Sequence, residues 1–334
     1  MRAFVGTALG SVDNFVLDHL PTPEPGKGQV RIRIHATALG FVDGLMVQGR
    51  YQIKPPLPYV PGGEIVGVVE AMGPGVEGLR VGQRVVTWQL GGGLAEQTVV
   101  SAAEVDVLED GVSTVAAASM LVDYQTSHHA LVDVAAISAG DTVLVLGAAG
   151  GVGSAAVQMA ARAGAYVIAA ASTREKRQAA LSLGAHETVD YSLPDWRTEL
   201  KQKAPGGVVD VVFDPIGGPM LEPAFRSLGK EGRYLVVGFA GGDIPALPVN
   251  LVLLKNASLL GVEIRHLLSR DPAKARRVRR SLFSMVQAGY LKAPAVVTFP
   301  LDRSRDAVLA TASRQRIGKV VVVAALSESR WDRP

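Results

Sequence analysis

Cysteine is absent from the 334-residue chain. That absence excludes disulfides, thiol catalysis and every cysteine-ligated zinc site. Aromatic residues make up only 5% of the chain against 48% apolar residues in all, so a core must be assembled mainly from aliphatic side chains. The length exceeds one ordinary domain and suffices for two with large cores. A formal charge of +3 is too small to argue for a nucleic-acid partner. Basic residues do crowd one stretch, Arg265, Arg270, Lys274, Arg276, Arg277, Arg279 and Arg280, but their spacing wraps around a helix and predicts a solvated surface. No uninterrupted apolar run is long enough to span a bilayer, and residues 1–10 lack a basic region followed by an apolar core. The expectation is a cytoplasmic protein with neither membrane nor nucleic acid as a partner.

What the chain does have is glycine in one concentrated pattern. Residues 141–172, DTVLVLGAAGGVGSAAVQMAARAGAYVIAAAS, read as strand, glycine-rich turn, helix and second strand. Gly147, Gly150, Gly151 and Gly153 punctuate the chain just before a helix whose Val152, Ala156, Val157 and Ala160 fall on one face. Glycines let the main chain turn tightly and approach a pyrophosphate, while the N–H groups and dipole of the helix N-terminus face the phosphate charge. The GxGxxG register ending at Gly153 has Ala148 in its first place, so context carries the assignment. The helix closes near Gly164, suited to a left-handed cap, and residues 165–171 return as a strand. The turn formed by Gly147, Ala149, Gly150, Gly151, Val152 and Gly153 is the expected dinucleotide cradle.

The second strand ends in Ala169, Ala170, Ala171 and Ser172, where an NAD-preferring enzyme usually places an acidic residue against the ribose 2′-hydroxyl. No carboxylate stands there. Ser172 and Thr173 offer hydroxyls, and Arg174, Lys176 and Arg177 follow at once, so a 2′-phosphate would meet donors and positive charge. This predicts NADPH as the cofactor. A charge-assisted hydrogen bond contributes roughly 1.5–3 kcal/mol, about a tenfold to hundredfold preference.

Upstream of this unit the texture changes to short strands broken by Gly and Pro, with Val30, Ile32 and Ile34 alternating against Arg31, Arg33 and His35. Residues 64–71, 81–88 and 96–100 continue the pattern and argue for a compact β domain of barrel or sandwich type. Downstream, residues 208–213, 233–237 and 259–264 read as further apolar strands completing a parallel sheet, and the tail from 291 reverts to β texture at 296–299 and 319–323. The predicted fold class is α/β. A β-rich domain, residues 1–121 and 291–334, is interrupted by a doubly wound nucleotide domain, residues 122–290.

Taken together, PPLPYVPGGEIVGVVEAMGPGV (55–76), GAAGGVGSAAVQMA (147–160), VVFDPIGG (211–218) and GRYLVVGFAGG (232–242) resemble the zinc-independent medium-chain dehydrogenase/reductases of quinone oxidoreductase type. The resemblance covers essentially the whole chain and implies a GroES-like catalytic domain with a Rossmann NADPH-binding domain. Zinc alcohol dehydrogenases of the same superfamily carry a GHE segment; here it corresponds to Gly62, Gly63 and Glu64, with Gly63 in the histidine's place. No metal site is expected.

What remains is hydride delivery to a small-molecule acceptor, a quinone, enone or enoyl thioester. The stretch 45–58, LMVQGRYQIKPPLP, resembles the loop of enoyl thioester reductases in which a tyrosine is the proton donor, and Tyr51 falls on that position. A phenol with its ordinary pKa of about 10 is protonated at neutral pH and can donate to a developing enolate; the alternative for Tyr51 is packing that closes the pocket. Relatives of quinone oxidoreductase type commonly show Asn and Arg around this segment, where Gly40 and Val47 stand here, flanking an Asp43 as suited to capping a helix as to touching a ligand. The resemblance further points to Thr126 near the nicotinamide and to Lys176 and Tyr191 beside the adenosine phosphate. It assigns Val237, Gly238 and Phe239 to the run along the dinucleotide and Asn256 to the carboxamide. It implies a homodimer joined at the sheet edge 259–264. A reading of another class is an NADPH-binding structural or RNA-associated protein with little turnover.

Overall fold

The computed structural model describes residues 1–313 and 315–324 and forms two compact units, Met1–Val122 with the described residues from Phe283 onward, and Asp123–Leu282. The divisions fall inside the helices Thr114–His128 and Pro272–Gln287.

In the second unit, six parallel strands lie in the order Glu187–Val189, Tyr166–Ala170, Thr142–Leu146, Val209–Asp214, Leu228–Val236, Ser258–Gly261. Numbered along the chain this is 3-2-1-4-5-6, the doubly wound dinucleotide-binding order, with its switch point beside the first strand. Side-chain alternation assigns the two faces. Val143 and Val145 pack with Ala156, Val157 and Ala160 on one side, and Leu144 and Leu146 pack with Trp196, Leu200 and Phe225 on the other. Strands buried on both faces have no polar side to show, which is why 142–146 is a continuous apolar run. Each such Val or Leu contributes about 1.5–3 kcal/mol on burial.

Two expectations change here. The strand expected over 259–264 is Ser258–Gly261, because Glu263 accepts a hydrogen bond from the Arg265 N–H at 3.1 Å and starts the helix Ile264–Arg270. The basic stretch is two helices rather than one solvated face: Arg279 is buried, and its Nε donates to Gln125 at 3.2 Å.

In the first unit, a seven-stranded mixed sheet runs Val296–Pro300, Lys319–Val323, Gln29–Leu39, Glu64–Met72, Arg84–Trp88, Val105–Val107, with Gln97–Ser101 also paired to Gln29–Leu39. The long strand Gln29–Leu39 pairs with three neighbours, and its register with Glu64–Met72 shifts between Arg31 and Ile32 and again between Ile34 and Ala36. Among the described residues, no helix is long and apolar enough to cross a membrane.

Candidate functional site

At the carboxyl end of the strand Thr142–Leu146, Gly147 adopts φ +59°, a conformation that favours glycine. The Gly150 N–H closes the turn on the Gly147 carbonyl at 2.9 Å, and the helix Gly151–Arg162 begins with Gly150 as its N-cap. A Cβ on Gly153 would lie 2.2 Å from the Gly147 oxygen, so only glycine lets the helix pack this close to the strand. A Cβ on Gly150 would meet nothing nearer than 3.4 Å, leaving the approach to the helix N-terminus open. Val152 packs its side chain on the core below, and Ala149 is buried. The first N–H groups of Gly151, Val152 and Gly153 lack intrahelical acceptors by helix geometry and point to where an anion is stabilised. This cradle fits a dinucleotide pyrophosphate.

Beside it, the Ala240 N–H donates to the Pro215 carbonyl at 3.1 Å and the Gly241 N–H to that of Ile216 at 2.7 Å. Gly217 lies so near Phe239 that a Cβ would approach its ring to 2.8 Å. Val237, Gly238 and Phe239 thus follow the strand Leu228–Val236 at the same sheet end as the glycine turn. Asn256 does not. It caps the helix Asn250–Lys255 in the left-handed conformation, two residues before the edge strand, and so stands at the amino end of the sheet, opposite the crevice. Asn is the residue after Gly best suited to that conformation, and helix termination accounts for it.

At the ribose end, the strand Tyr166–Ala170 leads to half-buried Ser172. The Thr173 oxygen accepts the Lys176 N–H at 3.3 Å as the N-cap of Arg174–Ser182, and its hydroxyl interacts with the Glu175 carboxylate. Glu175 lies below its usual pKa through its own backbone N–H, Thr173 and the nearby Arg174 and Arg177 charges. Thr173 is therefore engaged in helix initiation. Arg177 is engaged too, donating to Asp190 at 2.6 Å and to the Ala171 carbonyl at 3.0 Å, while Ser172 and Lys176 stand half-buried on either side of that cap. Tyr191 is partly buried against the same core face as Ile216. Thr126 is 7% exposed on the helix Thr114–His128.

In the first unit, Tyr51 follows the helix Phe41–Val47, with its N–H turned back to the Leu45 carbonyl at 3.3 Å and its ring against the core around Met46 and Val47. Asp43 holds that helix: one oxygen accepts the Gly40 N–H at 2.7 Å and the other the Gly62 N–H at 3.2 Å. Burial pushes the Asp43 carboxyl up, opposed by the Gly40 N–H, the Lys319 charge and the Gly62 N–H. Asp43 is a capping residue. Glu64, the third residue of the GHE-like segment, pairs with Lys319 at 2.7 Å and accepts the Val122 N–H at 2.8 Å. A Cβ on Gly63 would stand 2.1 Å from the Gln89 carbonyl, so the position cannot take a histidine without moving the backbone. Among the described residues no group of three or more His, Asp and Glu could hold a metal. These residues do not fit a catalytic zinc. The Lys319 partner escaped the sequence reading, since nothing local links positions 64 and 319.

Comparison with known proteins agrees with this geometry. The family described as alcohol dehydrogenase GroES-like domain matches residues 26–110, and that described as zinc-binding dehydrogenase matches residues 151–277. Quinone oxidoreductase-like protein 2 of Mus musculus is 36% identical over 302 residues, covering 90% of this chain and 86% of that protein. A 2-haloacrylate reductase from Burkholderia sp is 33% identical over 324 residues, covering 94% of this chain and 96% of that protein. The quinone oxidoreductase of Thermus thermophilus, solved also as its complex with NADPH, superposes with a TM-score of 0.82 at 34% identity, covering 97% of this chain and 100% of that chain. With a GroES-like unit, a 3-2-1-4-5-6 dinucleotide sheet and relatives along nearly its whole length, the chain belongs to the medium-chain dehydrogenase/reductases of quinone oxidoreductase type, a family of oxidoreductases using an NAD(P)-type cofactor.

Proposed function

We propose that the protein is an NADPH-dependent, metal-free reductase that delivers hydride to a quinone or to an electron-poor carbon–carbon double bond. The observation carrying the cofactor choice is the ribose end: alanines close the strand Tyr166–Ala170, and half-buried Ser172 and Lys176 follow where a 2′-phosphate would need donors. Gly147, Ala149, Gly150, Gly151, Val152 and Gly153 would hold the pyrophosphate, Tyr191 the adenosine side, and Val237, Gly238 and Phe239 the run toward the nicotinamide, with Thr126 near it. When bound, NADPH supplies the hydride.

Negative charge then gathers on the acceptor oxygen, and without a metal it must be met by a proton or hydrogen-bond donors. Tyr51 is the proposed donor: its phenolic O–H bond breaks as the new bond to the acceptor forms, and solvent reprotonates the phenolate. Gly40 and Val47, small or apolar where relatives of quinone type commonly carry polar residues, suit an acceptor bulkier or less polar than a simple quinone. Similarity to a 2-haloacrylate reductase favours a carbon–carbon double bond as the second acceptor class, enoyl thioesters included.

The test is NADPH oxidation against quinones, enones and enoyl thioesters. Turnover on one class names the acceptor; tight NADPH binding with no turnover on any would instead favour the non-enzymatic binding protein. Tyr51→Phe should lower turnover at least tenfold while NADPH affinity stays within twofold, and unchanged turnover on a good acceptor would remove Tyr51 from the chemistry. An enoyl-thioester reductase should also lose specificity when the carrier part of its substrate is removed, because remote binding energy contributes to the transition state.

A homodimer joined through the edge strand Ser258–Gly261 is also proposed. Among the described residues that strand pairs with one neighbour, and on the helix that precedes it in the chain Leu253 and Leu254 are 81% and 71% exposed. A sheet edge and exposed leucines of this kind are surfaces that a second copy would cover.

A further inference from the structure

One buried carboxylate ties the loop after its own strand to the segment after the neighbouring strand, at the carboxyl end of the parallel sheet. Asp214 ends the strand Val209–Asp214 and is 2% exposed. Its Oδ1 accepts the backbone N–H of Ile216 at 2.7 Å and of Gly217 at 2.9 Å, and its Oδ2 accepts the Tyr234 hydroxyl at 2.6 Å. Its carbonyl oxygen accepts the Val237 N–H at 2.9 Å and the Gly238 N–H at 3.3 Å. Tyr234 lies fully buried on the neighbouring strand, its ring 5.7 Å from that of Phe225.

The two residues held by Oδ1 pass the constraint on. Ile216 covers Gly147, where a Cβ would lie 2.9 Å from the isoleucine Cδ1, and Gly217 abuts Phe239. Gly217 and Gly218 both occupy positive φ, at +61° and +56°, so this loop has a shape that few sequences hold unaided. Burying a carboxylate costs several kcal/mol, and here the three side-chain partners are neutral donors rather than a cation. Burial accordingly pushes the Asp214 carboxyl up, and the hydrogen bonds from Tyr234, Gly217 and Ile216 oppose it. An amide in its place would have one accepting oxygen, and its NH2 would have to donate to Tyr234, whose own proton would then need another acceptor. Two oxygens that accept three bonds explain why the charged residue stands here.

We infer that Asp214, with Tyr234, is a positioning residue that keeps the glycine turn and the 237–239 segment at the spacing the dinucleotide requires. The inference rests on reading this crevice as the NADPH site.

It is tested by NADPH titration of the purified full chain without acceptor, well below the melting temperature, alongside apoprotein melting. Asp214→Ala should weaken NADPH binding at least tenfold, Tyr234→Phe severalfold, and Asp214→Asn, which keeps one accepting oxygen for Ile216 and Gly217, should fall between wild type and Asp214→Ala. Should Asp214→Ala not fold, Asp214→Asn and Tyr234→Phe decide the matter by the same titration. Lowered melting temperatures with NADPH affinity within twofold of wild type in every folded variant would overturn the positioning role alone. Failure of the wild-type protein to bind NADPH would overturn both this inference and the reading of the site.

Discussion

The contact between Gly153 and the Gly147 carbonyl decides how near the helix comes to its strand, and with it where the helix N–H groups stand. Gly153→Ala should therefore cost about 1–3 kcal/mol of stability by overpacking and at least tenfold in NADPH affinity, checked by denaturant unfolding and ligand titration. Gly63 makes the complementary case: Gly63→His should lower the melting temperature and bind no zinc after dialysis, since the Gln89 carbonyl occupies the space a side chain needs. At this scale the sequence was legible where one residue type serves one purpose, as in the glycine turn. It was ambiguous where a residue can serve two. Thr173 and Asn256 have the polar groups of ligand-binding residues, yet one starts a helix and the other ends one. Asp214 stood in plain view at a strand end, but its partner Tyr234 is joined to it only by the parallel pairing of two strands.

Among the elements, the crossover between the strands Tyr166–Ala170 and Glu187–Val189 carries the proposed ribose end of the site, and the Arg177–Asp190 pair links its helix to the residue after the second strand. Burial, the largest single influence on Asp190, pushes its pKa up, but the hydrogen bonds from Ser192 and Arg177 together bring it below the ordinary value. The stabilisation is thus present above about pH 4 and is lost as pH falls through the lowered folded-state pKa. Asp190→Asn should cost about 1 kcal/mol at neutral pH, the pair being partly exposed, and the difference from wild type should vanish in strong acid, as read by urea unfolding across pH. Elements with strict periodicity were the legible ones. The strand Thr142–Leu146 and the helix Gly151–Arg162 show their burial in the order of their residues, whereas the end of Ser258–Gly261 depends on a cap by Glu263 that an apolar run conceals.

For the whole molecule, a chain without cysteine and with a crowded Gly63 lacks the ligand pattern of the zinc alcohol dehydrogenases, so prolonged chelation should leave NADPH oxidation unchanged; loss of activity restored by zinc alone would contradict this. If a second copy covers the edge strand, Leu253→Glu with Leu254→Glu should shift sedimentation from dimer to monomer while each chain keeps its fold. A wild-type protein that sediments as a monomer would dispose of that interface. The measurement that bears most directly on the account is the ratio of kcat/KM for NADPH to that for NADH with a good quinone or enone acceptor. The predicted ratio is about tenfold to a hundredfold in favour of NADPH, the worth of one charge-assisted contact to the 2′-phosphate, and falls toward unity in Lys176→Ala. A ratio at or below one in the wild-type protein, or no turnover with either cofactor on any acceptor, would contradict it.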